Sequence, residues 1–198
     1  MIEIIPTPQE QLLKDIAAFL NKAKIPYMIT GSLSVIRYGR IRASHDIDFI
    51  LEAPTSEDKR IKEVFQQLPR KEFVVDPIQV QYAVTDTTQF NVFHLPTALK
   101  LDFWILKNTP FDKERFKRRK ELSVYGTKIA FSSPEDTILK KLLWYEDSKI
   151  EKHLIDAAFV YQIQEKNLDK KYLLTWSKNH KTQKLLSELA DINLDLYY

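Results

Sequence analysis

Ile29-Thr30-Gly31-Ser32, followed after thirteen residues by Asp46-Ile47-Asp48, is the stretch on which the reading of the fold turns. Tyr27-Met28-Ile29-Thr30 predicts a short buried strand, and Leu33-Ser34-Val35-Ile36-Arg37-Tyr38 predicts the helix after it. Gly31 and Ser32 therefore fall at a strand-to-helix turn. Unpaired N–H groups and the helix dipole at such a turn favour an anion, glycine lets the backbone come close, and the serine hydroxyl adds a donor. The chain has three glycines, Gly31, Gly39 and Gly126, so a glycine at this turn is not a casual placement. The plain alternative is an ordinary helix N-cap by Ser32.

Asp46-Ile47-Asp48-Phe49-Ile50-Leu51 reads as a strand. Strand side chains alternate, so Asp46 and Asp48 share one face, with roughly 6–7 Å between their Cα atoms. Ile47, Phe49 and Leu51 face the other way, toward a core. A divalent cation resolves the repulsion of two such carboxylates, since Mg²⁺ takes oxygen ligands from carboxylates and substrate phosphates. The alternative is a solvated strand face. A third carboxylate, Asp102, lies inside the apolar run Leu99-Lys100-Leu101-Asp102-Phe103-Trp104-Ile105-Leu106, where an isolated charge is costly. If the two strands are neighbours, the three carboxylates converge and can hold two metals roughly 3.5–4 Å apart. Asp102 is also the candidate to take the proton from an attacking hydroxyl.

With these residues quoted, the chain resembles the nucleotidyltransferase superfamily typified by polymerase β. More narrowly it is similar to the small prokaryotic minimal nucleotidyltransferases and the abortive-infection (AbiEii-type) toxin group. Their pattern of a Gly-Ser turn, a helix, an Arg-x-Ser-x-Asp-Ile-Asp strand and a later carboxylate reads here as Gly31-Ser32, Arg42-Ala43-Ser44-His45-Asp46-Ile47-Asp48 and Leu101-Asp102-Phe103. Ser132-Ser133-Pro134-Glu135-Asp136 resembles the Ser-Pro-Glu-Asp helix of the group, and His153-Leu154-Ile155-Asp156 the segment after it. The resemblance spans residues 25–160. It implies transfer of a nucleoside monophosphate from an NTP to a hydroxyl acceptor, with Mg²⁺ or Mn²⁺ held by Asp46, Asp48 and Asp102. It assigns the triphosphate to Gly31, Ser32, Arg42 and Lys141. The implied acceptors are a tRNA 3′ end, a protein hydroxyl or a small molecule of the aminoglycoside type, and a cognate toxin or antitoxin is an implied partner. His45 departs from the pattern of the group, and its role is open. Two further readings stand beside this one: a catalytically inactive nucleotide-binding module with the same fold, and a protein-interaction module whose helical end recruits a partner.

A chain of 198 residues that is 44% hydrophobic and 29% charged suits a globular protein of one domain, or a domain with a helical appendage. No apolar run approaches the roughly 18 residues of a membrane span. The start, Met1-Ile2-Glu3-Ile4-Ile5-Pro6, lacks the pattern of a signal peptide, and the absence of cysteine excludes disulfides and thiolate metal sites, so a cytoplasmic setting is expected. The net charge of +3 does not mark a nucleic-acid binder, but residues 111–121 hold six basic and three acidic side chains. That run reads as a solvated helix face or as a patch for phosphates.

Thr7-Pro8-Gln9-Glu10 reads as a capping box before an amphipathic helix. A further helix is expected from Thr55-Ser56-Glu57-Asp58. Strands are expected at Phe73–Val75, over Ile78–Val84 with a period of two, at Phe90–Leu95 and near Lys128–Phe131. From Ser133 the chain reads as helical, with Trp144, Tyr145, Phe159, Tyr161 and Trp176 packing it together. His94, His153 and His180 show no metal-ligand spacing. The expectation is an α/β (α+β) nucleotidyltransferase fold with a mixed, antiparallel-rich sheet flanked by helices. Residues 1–131 are the expected catalytic domain, and 132–198 the C-terminal helical region packed on it.

Overall fold

Thr7 opens the first helix as a capping box: its hydroxyl accepts from the Glu10 N–H, and the Glu10 carboxylate accepts from the Thr7 N–H. The computed structural model describes residues 6–56, 58–124 and 126–197. The stretch Met1–Ile5 and Glu57, both used above, lie outside the described residues. In chain order the elements begin with α1 (Pro8–Lys22), β1 (Tyr27–Ile29), α2 (Gly31–Tyr38), β2 (Asp46–Leu51), α3 (Arg60–Phe65) and β3 (Phe73–Val75). There follow α4 (Pro77–Asp86), β4 (Gln89–His94), β5 (Leu99–Ile105), α5 (Pro110–Lys117), β6 (Lys120–Val124) and β7 (Thr127–Phe131). The rest is helical: α6 (Pro134–Ser148), α7 (Glu151–Gln164), α8 (Lys170–Asn179) and α9 (Gln183–Glu188), with short 3-10 turns at Glu165–Asn167 and Leu194–Tyr197. The chain divides into two compact units, one from the chain as far as Thr30 with Ser44–Phe131, the other from Gly31–Ala43 with Ser132 onward.

The first unit is a seven-stranded sheet in the order β3-β4-β5-β2-β1-β7-β6. The β2–β5 and β1–β7 pairs are parallel and the others antiparallel, so the fold is the expected mixed, antiparallel-rich α/β class. One sheet face is an aromatic core. Phe49 and Phe90 stack on either side of Phe103 at 4.8 and 5.1 Å, and Phe65 meets Phe103 edge-on at 4.7 Å. The other face carries the polar residues of β2, β4 and β5. Beside β1 that face is closed by Met28 and Ile50 under Phe116 of α5.

The period-two strand expected over Ile78–Val84 is helix α4 instead. Asp76 Oδ1 accepts from the Ile78 N–H at 2.8 Å, Pro77 takes the first helical position, and Val80, Ala83 and Val84 form a buried stripe at helical spacing. Ile78 and Tyr82, which completed the alternation, are exposed. The cap and the proline decide the element, and the alternation is incidental. The helix expected from Thr55 starts later, at Arg60, whose N–H donates to Asp58 Oδ1 at 2.8 Å. The basic run also contributes a strand: β6 pairs with β7 as a hairpin whose turn includes Gly126 at φ 76.

In the second unit the expected helix start at Ser133 is present. Ser133 Oγ accepts from the Asp136 N–H and donates to Asp136 Oδ2 at 2.7 Å, with Pro134 at the first position. Tyr172 Oη donates to Asp136 Oδ1 at 2.7 Å, and the Asp169 N–H to Glu135 Oε1 at 3.0 Å. Glu135 and Asp136 thus tie the start of α6 to α8. Val35, Ile138, Leu142, Ile155 and Phe159 fill the core between α2, α6 and α7. Of the aromatic residues expected to pack this part, Phe159 is fully buried, while Trp144, Tyr145, Tyr161 and Trp176 are half-buried. Among the described residues no helix is long and apolar enough to cross a membrane.

Candidate active site

Asp48 and Asp102 sit opposite each other on the parallel strands β2 and β5, and Asp46 lies opposite Lys100. Alternation puts Asp46, Asp48, Lys100 and Asp102 on one sheet face, away from the phenylalanine core. Thr30 N–H donates to the Asp48 carbonyl at 3.0 Å, which fixes the end of β1 against this strand. Ser44 Oγ lies 3.2 Å from Asp46 Oδ1. Asp102 is only 7% exposed, and its Oδ2 accepts from Lys100 Nζ at 2.9 Å. That hydrogen bond, with the charges of Asp102, Asp46 and Asp48, raises the Lys100 pKa.

Among the described residues no three His, Cys, Asp or Glu side chains are drawn around one point to hold a metal. The chemistry of the row nonetheless fits a hard divalent cation. Its three acidic members offer carboxylate oxygens, and although Lys100 Nζ takes Asp102 Oδ2, Asp102 Oδ1 is buried with no hydrogen-bond partner. A cavity of about 410 Å³ lined by Glu52, Thr55, Lys107 and Lys113 lies past the other end of these strands, beyond Leu51 and Ile105. The carboxylate row is the better candidate centre, because that cavity holds no comparable set of oxygen ligands.

The remaining expected residues belong to the helical unit. Gly31 has φ 64, a left-handed conformation that strains any other L residue, and this lets the chain pass from β1 straight into α2. Ser32 is buried at the start of that helix. Arg42 and Lys141 come together on a residue with no role in the sequence reading, Asp156 of α7. Lys141 Nζ and Arg42 Nη2 each lie 2.9 Å from Asp156 Oδ2, and Arg40 Nη2 lies 3.4 Å from Oδ1. Asp156 is fully buried. Burial alone would raise its pKa, but Lys141 and Arg42 outweigh that and hold the carboxyl below its ordinary value. Burial lowers the pKa of neighbouring His153, and the charge on Lys141 lowers it further.

Sequence reasoning passes over Lys100 and Asn91 as well as Asp156 and Arg40. Lys100 and Asp102 are two apart on a strand, which is signal enough to place them side by side; Asn91 needs the β4–β5 register, where it lies opposite Asp102. The basic run does not form one solvated face, since Arg115 is buried and paired with Asp112 at 2.8 Å, and Arg119 lies over the Phe116 ring. His45 is exposed.

The sheet and its helices define a nucleotidyltransferase fold. A nucleotidyltransferase-like antigenic protein from Paracoccidioides brasiliensis matches at 17% identity with a TM-score of 0.64, over 94% of this chain and 89% of that one. Antibiotic-resistance factor ANT(2″)-Ia, solved in complex with adenylyl-2″-tobramycin, matches at 14% identity and TM-score 0.60, over 90% of this chain and 99% of that one. The lincosamide antibiotic adenylyltransferase LnuA, solved with lincomycin, matches at 16% and 0.51, over 79% and 98%. At such identities the likeness is one of fold. No curated protein matches the chain in sequence. A family model matches residues 31–196, and the chain belongs to that family, the AbiEii nucleotidyltransferase toxins of type IV toxin–antitoxin systems.

Proposed function

We propose that this protein moves a nucleoside monophosphate from an NTP to a hydroxyl acceptor, as the toxin of a toxin–antitoxin pair acting in the cytoplasm. The observation that carries the reading is the row of Asp48 and Asp102 on neighbouring parallel strands, with Asp46 on the same face and a buried Asp102 oxygen left unpaired. Asp46, Asp48 and Asp102 would hold Mg²⁺ or Mn²⁺, which neutralises charge on the phosphates in phosphoryl transfer. The acceptor oxygen bonds to the α-phosphorus, the bond from that phosphorus to the bridging oxygen breaks, and pyrophosphate leaves with the electron pair. Asp102 takes the proton of the acceptor hydroxyl. Gly31 and Ser32 bind the β- and γ-phosphates through backbone N–H groups and a hydroxyl, and Arg42 and Lys141 supply positive charge. In this reading residues 1–131 carry the nucleotidyltransferase chemistry, and 132–198 are the helical region. The acceptor is a tRNA 3′ end or a protein hydroxyl; tobramycin and lincomycin enter as competitors because two proteins of the same fold were solved with such molecules.

The test is the response of the melting temperature to Mg²⁺ or Mn²⁺ in wild type and Asp48→Asn, a change that removes charge but little volume. At a hundredfold excess over Kd a ligand stabilises by about 2.7 kcal/mol, or roughly 6 °C for a chain of this length. Wild type should show such a rise and the variant a small fraction of it. Equal shifts would remove the metal assignment. Labelled NTPs offered with Mg²⁺ and total tRNA, protein or tobramycin then report which acceptor is labelled.

A further inference from the structure

We infer that the cavity past Leu51 and Ile105 is a second binding site, for a phosphorylated sugar with neighbouring hydroxyls, either free or within a nucleoside monophosphate. The strand order creates it. β2 and β5 are parallel neighbours that end together, with Leu51 opposite Ile105. The chain leaving β2 enters α3, whose Phe65 packs on Phe103 in the phenylalanine core. The chain leaving β5 enters α5, whose Phe116 packs with Met28 and Ile50 on the opposite sheet face. Parallel strands whose continuations part to opposite faces leave a crevice beyond their carboxyl ends, and open α/β sheets hold ligands in such crevices. Here the crevice is the cavity of about 410 Å³, at the far end of β2 from Asp46. That volume lies within the range of small-molecule sites.

The lining sets the chemistry of the ligand. Lys107, in the loop after β5, and Lys113, in the first turn of α5, both line the cavity and are exposed. Among the described residues neither makes an ion pair. Two ammonium groups without a carboxylate partner suit a dianionic phosphate, which lysine binds as a point charge. Glu52, the residue directly after β2, asks for something else. Its N–H donates to the Pro26 carbonyl at 3.0 Å, which fixes its backbone at the cavity. Its carboxylate repels a phosphate but accepts from hydroxyls, the use that an acid beside such a crevice has toward ribose in dinucleotide-binding sheets. Val84 and Ile105, both buried, add apolar surface for the carbon face of a sugar or for a base. A dicarboxylic acid satisfies the lysines but gives Glu52 nothing to accept. All of these residues belong to the sheet unit, and binding here does not depend on the nucleotidyl-transfer reading.

The experiment is calorimetric titration of the full chain, with a chelator in place of divalent metal. The separate probes are ribose 5-phosphate, adenosine 5′-monophosphate, ribose, inorganic phosphate and succinate. One of the first two should bind at least tenfold tighter than each of the last three, and the tighter of the two identifies the source. Lys107→Gln and Lys113→Gln should each weaken that ligand about tenfold, the loss of one charge-assisted contact. Glu52→Ala should weaken it about tenfold and leave inorganic phosphate bound no more weakly. Asp48→Asn should bind it as wild type does. All three cavity substitutions are at exposed positions, and unchanged melting temperatures would show that the variants fold. The inference is overturned if neither sugar phosphate binds tighter than inorganic phosphate in wild type, a comparison that needs no variant. It is overturned equally if the lysine variants or Glu52→Ala keep full affinity, or if affinity is lost in Asp48→Asn. Each of these failures leaves the metal response of wild type untouched, so this site and the catalytic reading fall separately.

Discussion

Replacing Asp156 by Asn removes the one charge on which Arg40, Arg42 and Lys141 converge. The carboxylate is fully buried, with Lys141 Nζ and Arg42 Nη2 at 2.9 Å, Arg42 Nε at 3.2 Å and Arg40 Nη2 at 3.4 Å. Breaking a buried ion pair by removing one partner costs about 3–5 kcal/mol, because the other charge is left without compensation. Arg40 and Arg42 keep 16% and 13% of their side-chain surface in water, which puts the loss at the low end of that range, about 3 kcal/mol. With about 2.1 cal/mol/K of unfolding entropy per residue, the melting temperature should fall by roughly 7 °C. Calorimetry on Asp156→Asn, Lys141→Met and the double variant is the assay. Lys141→Met removes one of the stranded cations, so the double variant should lose at least 1 kcal/mol less than the sum of the two singles. A fall of under 2 °C for Asp156→Asn, or strict additivity, would refute the idea that this carboxylate holds the cluster together.

Two further outcomes follow from the same residues and from the turn at Gly31. Asp156 has a folded-state pKa below its ordinary 3.8, so its contribution is complete above that value and is lost as pH falls through the folded pKa. Urea midpoints measured from pH 7 to pH 3 should therefore drop more steeply on the acid side for wild type than for Asp156→Asn, and parallel curves would count against the ion cluster. Ser32→Ala should weaken NTP binding roughly tenfold to a hundredfold without unfolding the protein. A fluorescent-NTP titration unchanged in this variant would move the phosphate contact elsewhere.

Much of the sheet is legible in the sequence because the decisive signals are local. Asp46–Leu51 announces itself by apolar residues alternating with carboxylates at a spacing of two, Leu99–Ile105 by an apolar run around one carboxylate, and the helices after Thr7 and Ser133 by their caps and following prolines. The segment Ile78–Val84 misleads because two periods coexist in it. Ile78, Val80, Tyr82 and Val84 alternate, while Val80, Ala83 and Val84 make a helical stripe, and Asp76-Pro77 settles the matter in favour of the helix. The strand β6 is hidden because its residues are mostly polar and gain their order only by pairing with β7. The Asp156 cluster is illegible for a different reason. It joins Arg40, Arg42, Lys141 and Asp156 across three separate stretches, and nothing in the spacing of charges along the chain says which of them will be buried together. Asn91 is likewise ordinary until the β4–β5 register puts it beside Asp102.

The placement of α2 has a consequence for how the chain is made. Its buried residues Val35 and Tyr38 belong to a unit whose other helices begin only at Pro134 and Glu151. During synthesis at about 5–20 residues per second, the ribosome needs roughly 5–19 s to travel from Tyr38 to the start of α6. For that interval the apolar stripe of α2 has neither α6 nor α7 to pack on, while β2 and its neighbours can already be pairing. A nascent chain with a long-delayed contact of this kind is slow to reach its final topology and open to chaperones and proteases meanwhile. Slower translation between Tyr38 and Pro134 lengthens the time for which that stripe waits for its partners.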